Sequence, residues 1–396
     1  MNITLKTETL QGVAAKALKG AGNLSMLAIT SAIGIELVGQ DLVLTTTDNN
    51  TNLSVVMKNV ISAPTADKFY ACTNADLFCK LIAKQTTKTV ILEVMDKCLQ
   101  VEGDGVYNLP LIQDEEGTVA RIAPIEVDGL TEVNVESKTL KKLLKYNKLA
   151  VSKLYDEPMF TGYCIDKDKV YTYNGTNACI SEINLDSLQL LLPSKMVDLF
   201  DLFEDKTVKV VAVSDKIKLE SDTIQITGTV LEGFADYPKE PLNNTVYSDQ
   251  FVSSVVVNKD KLCGVLDRLS LFVSDNEQHG IQLNFSENGL LISNMDSNAC
   301  ESVPYVDGTT ANLSAVYVDI NDLKVIANAV SEDKLTIIYG NASAIGVAVG
   351  NMRFILSLLS DEEEVSAEDI ESEEVEGAEI TEDGSEEFDT ESDSES

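Results

Sequence analysis

The chain contains no tryptophan, and its one histidine is His279. That excludes catalytic triads and metal centres that need a second imidazole. The seven cysteines, at 72, 79, 98, 164, 179, 263 and 300, are odd in number and form no Cys-x-x-Cys pair. They read as buried thiols in a reducing compartment, not as a disulfide framework or a zinc site. No apolar run approaches the roughly 18 residues of a membrane span. The start, Met1-Asn2-Ile3-Thr4-Leu5, alternates like a strand and lacks the basic and apolar regions of a signal peptide. There is no P-loop, no Gly-x-Ser-x-Gly and no set of metal-ligand spacing, so neither an enzyme nor a cofactor is expected. Acidic clusters such as Asp48, Asp166 and Asp168 fall on turns and carry little information in so acidic a chain.

Positive charge is also scarce. Against 65 Asp+Glu stand 30 Lys+Arg, a formal net charge of −35. The excess is unevenly placed, because residues 361–396 hold 19 acidic and no basic side chains. The first 360 residues therefore carry 46 acidic against 30 basic groups. The tail has too few apolar residues to offset its ordering entropy and reads as disordered. One expectation is that it competes with partners or repels nucleic acid. The rest is globular, and a chain of 396 residues suggests about three domains.

The chain resembles itself three times. Thr51-Asn52-Leu53-Ser54, Thr176-Asn177-Ala178-Cys179 and Ser297-Asn298-Ala299-Cys300 each follow an alternating strand and a turn rich in Asn, Asp or Gly. The strands read as Leu42–Thr46, Val170–Tyr173 and Leu290–Ser293. A second pair of matches, Thr89–Leu92 before Asp96-Lys97 and Thr207–Val210 before Asp215-Lys216, keeps the order. Each round reads as strand, amphipathic helix, strands, second helix, strands. The helices are expected at 8–19, 137–152 and 258–272, and at 74–85, 193–203 and 319–330. Ser137, Asn258, Asn74 and Asp319 stand where an N-cap would. The fold class is α+β, three tandem domains of two helices on antiparallel sheet, at 1–126, 127–248 and 249–360, followed by the tail 361–396.

One helix is unusual. Residues 137–153 hold six lysines and no carboxylate. Lys138, Lys141, Lys145 and Lys148 fall on one stripe with Lys142 beside it, opposite Leu140, Leu143, Leu144 and Ala150/Val151. Like charges at this spacing oppose a helix by about 0.2–0.5 kcal/mol per pair, which points to a polyanion facing the stripe. The other helices carry smaller versions: Lys16 and Lys19; Lys80 and Lys84; Lys195; Lys259, Lys261 and Arg268; Lys324. Paired Arg or Asn stripes that would read bases are missing, so contact with double-stranded DNA would be to phosphate and sequence-independent. Such an acidic chain must then converge its lysine faces on one surface while its carboxylates point elsewhere.

These features resemble the bacterial- and phage-type DNA polymerase sliding clamps, the β processivity factors, over residues 1–360. The resemblance lies in Asn23-Leu24-Ser25-Met26-Leu27 leading to Leu42–Asp48, the joint Gly233-Phe234-Ala235-Asp236-Tyr237-Pro238, the helix Val265–Ser270 and the terminal strand Arg353–Leu359. It implies a head-to-tail homodimeric ring around duplex DNA that tethers a replicative DNA polymerase, in the cytoplasm of a bacterial or phage-infected cell. It also implies that polymerase and clamp loader dock short peptide motifs between domains two and three. By position that pocket would be lined by Phe160, by Gly175, Thr176, Asn177 and Ala178, by Ala235, Asp236, Tyr237 and Lys239, and by Ile355, Leu356, Ser357 and Leu358. The chain departs from the family at Ala235 for the joint proline, at Thr176-Asn177 for His-Arg and at Ser357 for Met. The preferred peptide is therefore expected to differ. Two other readings remain at this point, a structural or virion protein assembling through its sheets and an acidic DNA mimic.

Overall fold

The computed structural model describes residues 2–22, 27–62, 68–129, 132–154, 156–185, 188–273, 279–310 and 315–359. The segment 23–26 used for the resemblance and the tail 361–396, expected to be disordered, lie outside them.

One element order occurs three times. The first round is β1 (Asn2–Lys6), α1 (Thr7–Leu18), β2 (Ala32–Val38), β3 (Asp41–Thr47), β4 (Thr51–Met57), β5 (Tyr70–Asn74), α2 (Ala75–Ala83), β6 (Thr89–Val94), β7 (Cys98–Glu102) and β8 (Val106–Pro110). The second is β9 (Glu132–Glu136), α3 (Ser137–Lys145), β10 (Gly162–Asp166), β11 (Lys169–Tyr173), β12 (Ala178–Glu182), β13 (Gln189–Pro193), α4 (Ser194–Val197), β14 (Thr207–Ala212), β15 (Lys216–Glu220) and β16 (Ile224–Thr229). An extra helix, α5 (Lys239–Val246), precedes the third round. That round is β17 (Ser253–Asn258), α6 (Lys259–Leu269), β18 (Gly280–Phe285), β19 (Leu290–Asn294), β20 (Cys300–Val303), β21 (Tyr305–Thr309), β22 (Ala315–Asp319), α7 (Ile320–Ala329), β23 (Lys334–Tyr339), β24 (Ala344–Val349) and β25 (Met352–Ser357). Neither α5 nor β21 was expected.

The rounds interlock through their sheets. An eight-stranded sheet runs β5-β2-β3-β4-β16-β15-β14-β9, and a nine-stranded one runs β13-β10-β11-β12-β25-β24-β23-β17-β21. Two four-stranded sheets, β1-β6-β7-β8 and β20-β19-β18-β22, stand at the two ends of this series. Every ladder is antiparallel, as the alternating pattern implies. The seams between rounds are equivalent. β4 pairs with β16, Leu53 opposite Ile226, and β12 pairs with β25, Ala178 opposite Ile355.

The helices bury the faces their sequence marks. Leu10, Ala14 and Ala17 of α1 are buried, as are Leu140 and Leu143 of α3 and Leu262, Val265, Leu266 and Leu269 of α6. Each large apolar side chain withdrawn from water contributes about 1.5–3 kcal/mol. Asn74, Asn258 and Asp319 cap their helices through side-chain oxygens. Ser137 does not. Glu136 occupies the cap position of α3 without a side-chain cap, and Ser137 is the first helical residue.

The α-helical stretch expected over 137–152 stops at Lys145 and continues as a 3-10 turn over Asn147–Ala150. The cause is Asn147. Its side chain is buried, donates to the Val170 carbonyl at 3.2 Å and accepts from Ser181 Oγ at 2.7 Å, while its carbonyl accepts from Thr172 Oγ1 at 2.8 Å. These bonds pull the chain onto β11 and β12, so Lys148 is carried on a 3-10 turn and not on the α-helix. The cysteine expectation also needs correction. Cys72, Cys79, Cys164 and Cys179 are buried, but Cys98 and Cys263 are half-buried and Cys300 is exposed. Burial raises Cys164 and Cys179 to about 12, so neither presents a thiolate nucleophile near neutral pH.

Candidate DNA interface and partner pocket

The helices form one continuous series. α2 packs on α1. Lys16 of α1 reaches Glu204, just past the second round's helical segment, at 2.8 Å. That segment, α4 followed by a 3-10 turn over Asp198–Leu202, packs against α3. From the end of α3, Tyr146 Oη lies 3.3 Å from Ser331 Oγ, beyond α7, and Ala150 is buried in the third round's core. α7 packs on α6, with Lys324 Nζ 2.7 Å from Asp267. The order is therefore α2, α1, α4, α3, α7, α6.

Every cation expected to meet DNA lies in this belt. Lys16 is in α1 and Lys19 caps its end; Lys80 is in α2 and Lys84 caps it. Lys138, Lys141, Lys142 and Lys145 are in α3, and Lys148 is in the 3-10 turn after it. Lys195 is in α4, Lys259, Lys261 and Arg268 are in α6, and Lys324 is in α7.

The carboxylates, however, do not point elsewhere. Lys148 pairs with Asp198 at 2.6 Å and Lys141 with Asp201 at 3.8 Å. Arg268 makes a two-pronged contact with Glu301, at 2.7 and 2.6 Å, which holds that carboxyl below its ordinary range. Lys80 pairs with Asp76, Lys138 with Glu136 and Lys259 with Asp260. Among the described residues, Lys19, Lys84, Lys142, Lys145, Lys195 and Lys261 have no carboxylate at ion-pair distance. Lysine-only counting along 137–153 missed this, because the acids come from a neighbouring element some 50 residues on.

The second expected site gathers beside the β12–β25 seam. The Phe160 ring packs edge-on against Tyr173 at 5.1 Å and Tyr237 at 5.5 Å. Ala178 and Ile355 lie in the same apolar cluster, with Met159 and Phe234 partly buried against it. The turn before β12 is built by Asn174, whose Oδ1 accepts from the backbone N–H groups of Thr176 and Asn177. Gly175 adopts φ +98°, which suits glycine, and its carbonyl accepts from Tyr173 Oη. Ser357 Oγ donates to the Thr176 carbonyl, and the Asn177 side chain donates to Asp322.

Of the other residues expected there, Leu356 and Leu358 stand apart and Lys239 reaches the cluster's edge at Phe234. Leu356 and Leu358 belong to the third round's core. Lys239 opens α5, lies over the Phe234 ring at 3.8 Å and pairs with Asp166 at 3.3 Å. Ala235 and Asp236 are exposed on the turn before it. Sequence reasoning missed Met159, Tyr173 and Phe234. The aromatic spacing Phe160, Tyr171, Tyr173 was the available signal, but strand aromatics are equally common in ordinary cores.

Among the described residues no group of His, Cys, Asp or Glu is placed to hold a metal, and no helix is long and apolar enough to cross a membrane. No family model matches the chain, and a search of curated proteins returns no match. Solved structures do match. The sliding clamp of Bacillus subtilis superimposes with a TM-score of 0.79 at 13% identity, covering 91% of this chain and 99% of that one. The DNA polymerase III β subunit of Borrelia burgdorferi, in complex with a natural product, gives 0.78 at 18% identity, covering 91% and 98%. That of Pseudomonas aeruginosa gives 0.75 at 16% identity, covering 91% and 100%. The chain has the fold of the DNA polymerase sliding clamps. In particular it is similar over nearly their whole length to bacterial polymerase III β subunits.

Proposed function

We propose that the chain is a non-enzymatic sliding clamp that encircles duplex DNA and tethers a replicative polymerase, with domain boundaries at 126/127 and 248/249. The observation that carries the reading is the unbroken belt of cation-bearing helices backed by sheets that interlock at two equivalent seams. In the three rounds β4, β12 and β20 are equivalent, and so are β8, β16 and β25. Two of these pairs are joined within the chain, and among the described residues β20 and β8 are left with an unpaired edge each. Beside these edges stand exposed apolar side chains, Val106 and Tyr107 on β8 and Leu271 and Phe272, 80% and 55% exposed, in the 3-10 turn after α6. A second copy turned head-to-tail satisfies both edges twice and closes a ring. The lysines then contact phosphate without reading bases, and polymerase and loader peptides dock at the Phe160 cluster.

The test needs no loader. The protein is incubated with linear duplex so that rings thread over the ends, which are then blocked with bulky caps. Retention through a high-salt wash, and release when the duplex is cut, is the expected outcome. Loss of all protein in the wash would leave only electrostatic binding and end the reading. The two unpaired edges also favour a second reading, an open filament assembled by the same heterologous contact. A solution mass of two chains, with no growth on concentration, excludes it.

A further inference from the structure

We propose that Asp198, Asp201 and Glu204 are built-in competitors for the DNA phosphates, holding part of the lysine belt in check so that a closed ring grips duplex weakly. The inference rests on the clamp reading. Asp198 and Asp201 lie three residues apart in a 3-10 turn, where side chains at that spacing eclipse. The turn is pinned from below, because Leu199, Phe200 and Leu202 are buried. Its carboxylates thus form a fixed row. Opposite stand Lys148 at 2.6 Å, on the 3-10 turn after α3, and Lys141 at 3.8 Å, on α3, while Glu204 just past the Asp198–Leu202 turn meets Lys16 of α1 at 2.8 Å. One short segment therefore occupies cations from both neighbouring helices of the belt.

Ion pairs this exposed add little to stability, so each is displaceable. A phosphate that captures Lys141 or Lys148 must leave a carboxylate unpaired beside the duplex. The freed carboxylate also holds a cation of its own beside the duplex, which offsets the counterion that the phosphate releases. Both effects lower affinity and flatten its salt dependence. A ring held topologically needs neither high affinity nor a long residence at one phosphate, and a sticky bore would slow sliding.

The test is equilibrium binding of a short fluorescent duplex between 50 and 200 mM salt, with wild type and with D198N/D201N/E204Q. Freeing three cations adds up to about 2.7 to the magnitude of the log–log salt slope, so the affinity lost across that range grows by up to roughly 40-fold. A control variant, E115Q/E116Q/D222N, removes the same charge on turns away from the helices and should leave the slope as in wild type. Adding K16A/K141A/K148A to the first variant should abolish its gain. An unchanged slope in D198N/D201N/E204Q, or an equal gain in the control, overturns the inference. The capped-duplex assay separates the two failures. Wild type that is not retained sinks the clamp reading, whereas retention together with an unchanged slope sinks only the competitor role.

Discussion

The two seams share one backbone pairing and differ in what lies over it. At the β4–β16 seam the sheet face is polar, with Thr45, Ser54, Gln225 and Thr227 lining a groove of about 720 Å³. It is crossed by an extended segment around 120–128, held where the Ala120 and Ala123 carbonyls accept from Tyr70 Oη and from the Asn52 side chain. At the β12–β25 seam the cover is a helix, α5, and the neighbouring cluster is aromatic. A ladder of N–H and C=O groups is indifferent to side chains, so a duplicated fold can join its rounds identically and still assign each joint its own surface. Polar side chains rest comfortably under water, while a cluster such as Phe160, Tyr173 and Tyr237 gains by being covered.

The largest expected effect concerns the third seam, which a second copy must supply. L271D/F272D places charge on the exposed apolar pair next to the β20 edge. Dimerisation should weaken at least about a thousandfold, taking roughly 2 kcal/mol for each buried anchor. Sedimentation over a concentration series measures it, and an unchanged dimer would mean that β20 and β8 do not meet. The next effect divides the two existing seams. F160A should weaken binding of short Leu/Phe-rich peptides about thirtyfold, since it removes the ring that touches both tyrosines. R121A, at the polar seam, should leave that affinity alone. Equal losses from both would show that the aromatic seam has no special claim on partners.

A smaller effect lies beneath the seams. Asn147 stands where α1 has Ala17, and both backbone carbonyls accept from the equivalent threonine, Thr172 and Thr46. N147A would take the buried amide from Ser181 and the Val170 carbonyl, with Ser181 keeping only its long contact to Cys179 Sγ at 3.8 Å, at about 1–3 kcal/mol for each group left unsatisfied. Urea unfolding should show a drop of roughly 2–4 kcal/mol, and a change under about 0.5 kcal/mol would mean that water or a neighbour takes its place.

Asn147 also explains how far the sequence could be read. The threefold order of elements, the antiparallel sheets and most helix positions follow from periodicity and caps, because those signals are local. The break at Lys145 does not, since Asn147 is an ordinary helix residue until β11 and β12 offer it partners from 23 and 34 residues away. The candidate DNA interface divides the same way. Lysine spacing located the cations, but Asp198 and Asp201 join them only through packing of the 3-10 turn on α3. In the pocket the alternation along β25 decides. Ile355 faces the aromatic cluster, while its neighbour Leu356 turns to the third round's core.

The smallest effect compares the ion pairs that fasten the two covers. At the polar seam Arg121 and Glu36 lie 3.2 Å apart with side chains 59% and 44% exposed. At the aromatic seam Lys239 and Asp166 lie 3.3 Å apart at 23% and 25%. Burial works against the Asp166 charge, yet hydrogen bonds from Gln189 and Lys239 hold its carboxyl below the ordinary value of 3.8. A carboxyl depressed in the folded state stabilises above its unfolded value, and that contribution disappears as pH falls through the folded one. Wild type should therefore lose this increment from about pH 4 downward. D166N should lower stability at neutral pH by about 1 kcal/mol or less and flatten that part of the acid limb in a thermal-melt series. E36Q, at the more solvated pair, should leave stability at neutral pH as in wild type. An acid limb in D166N that matches wild type would mean that α5 is held by Leu242 and Val246 in the apolar cluster rather than by the charge at its first turn.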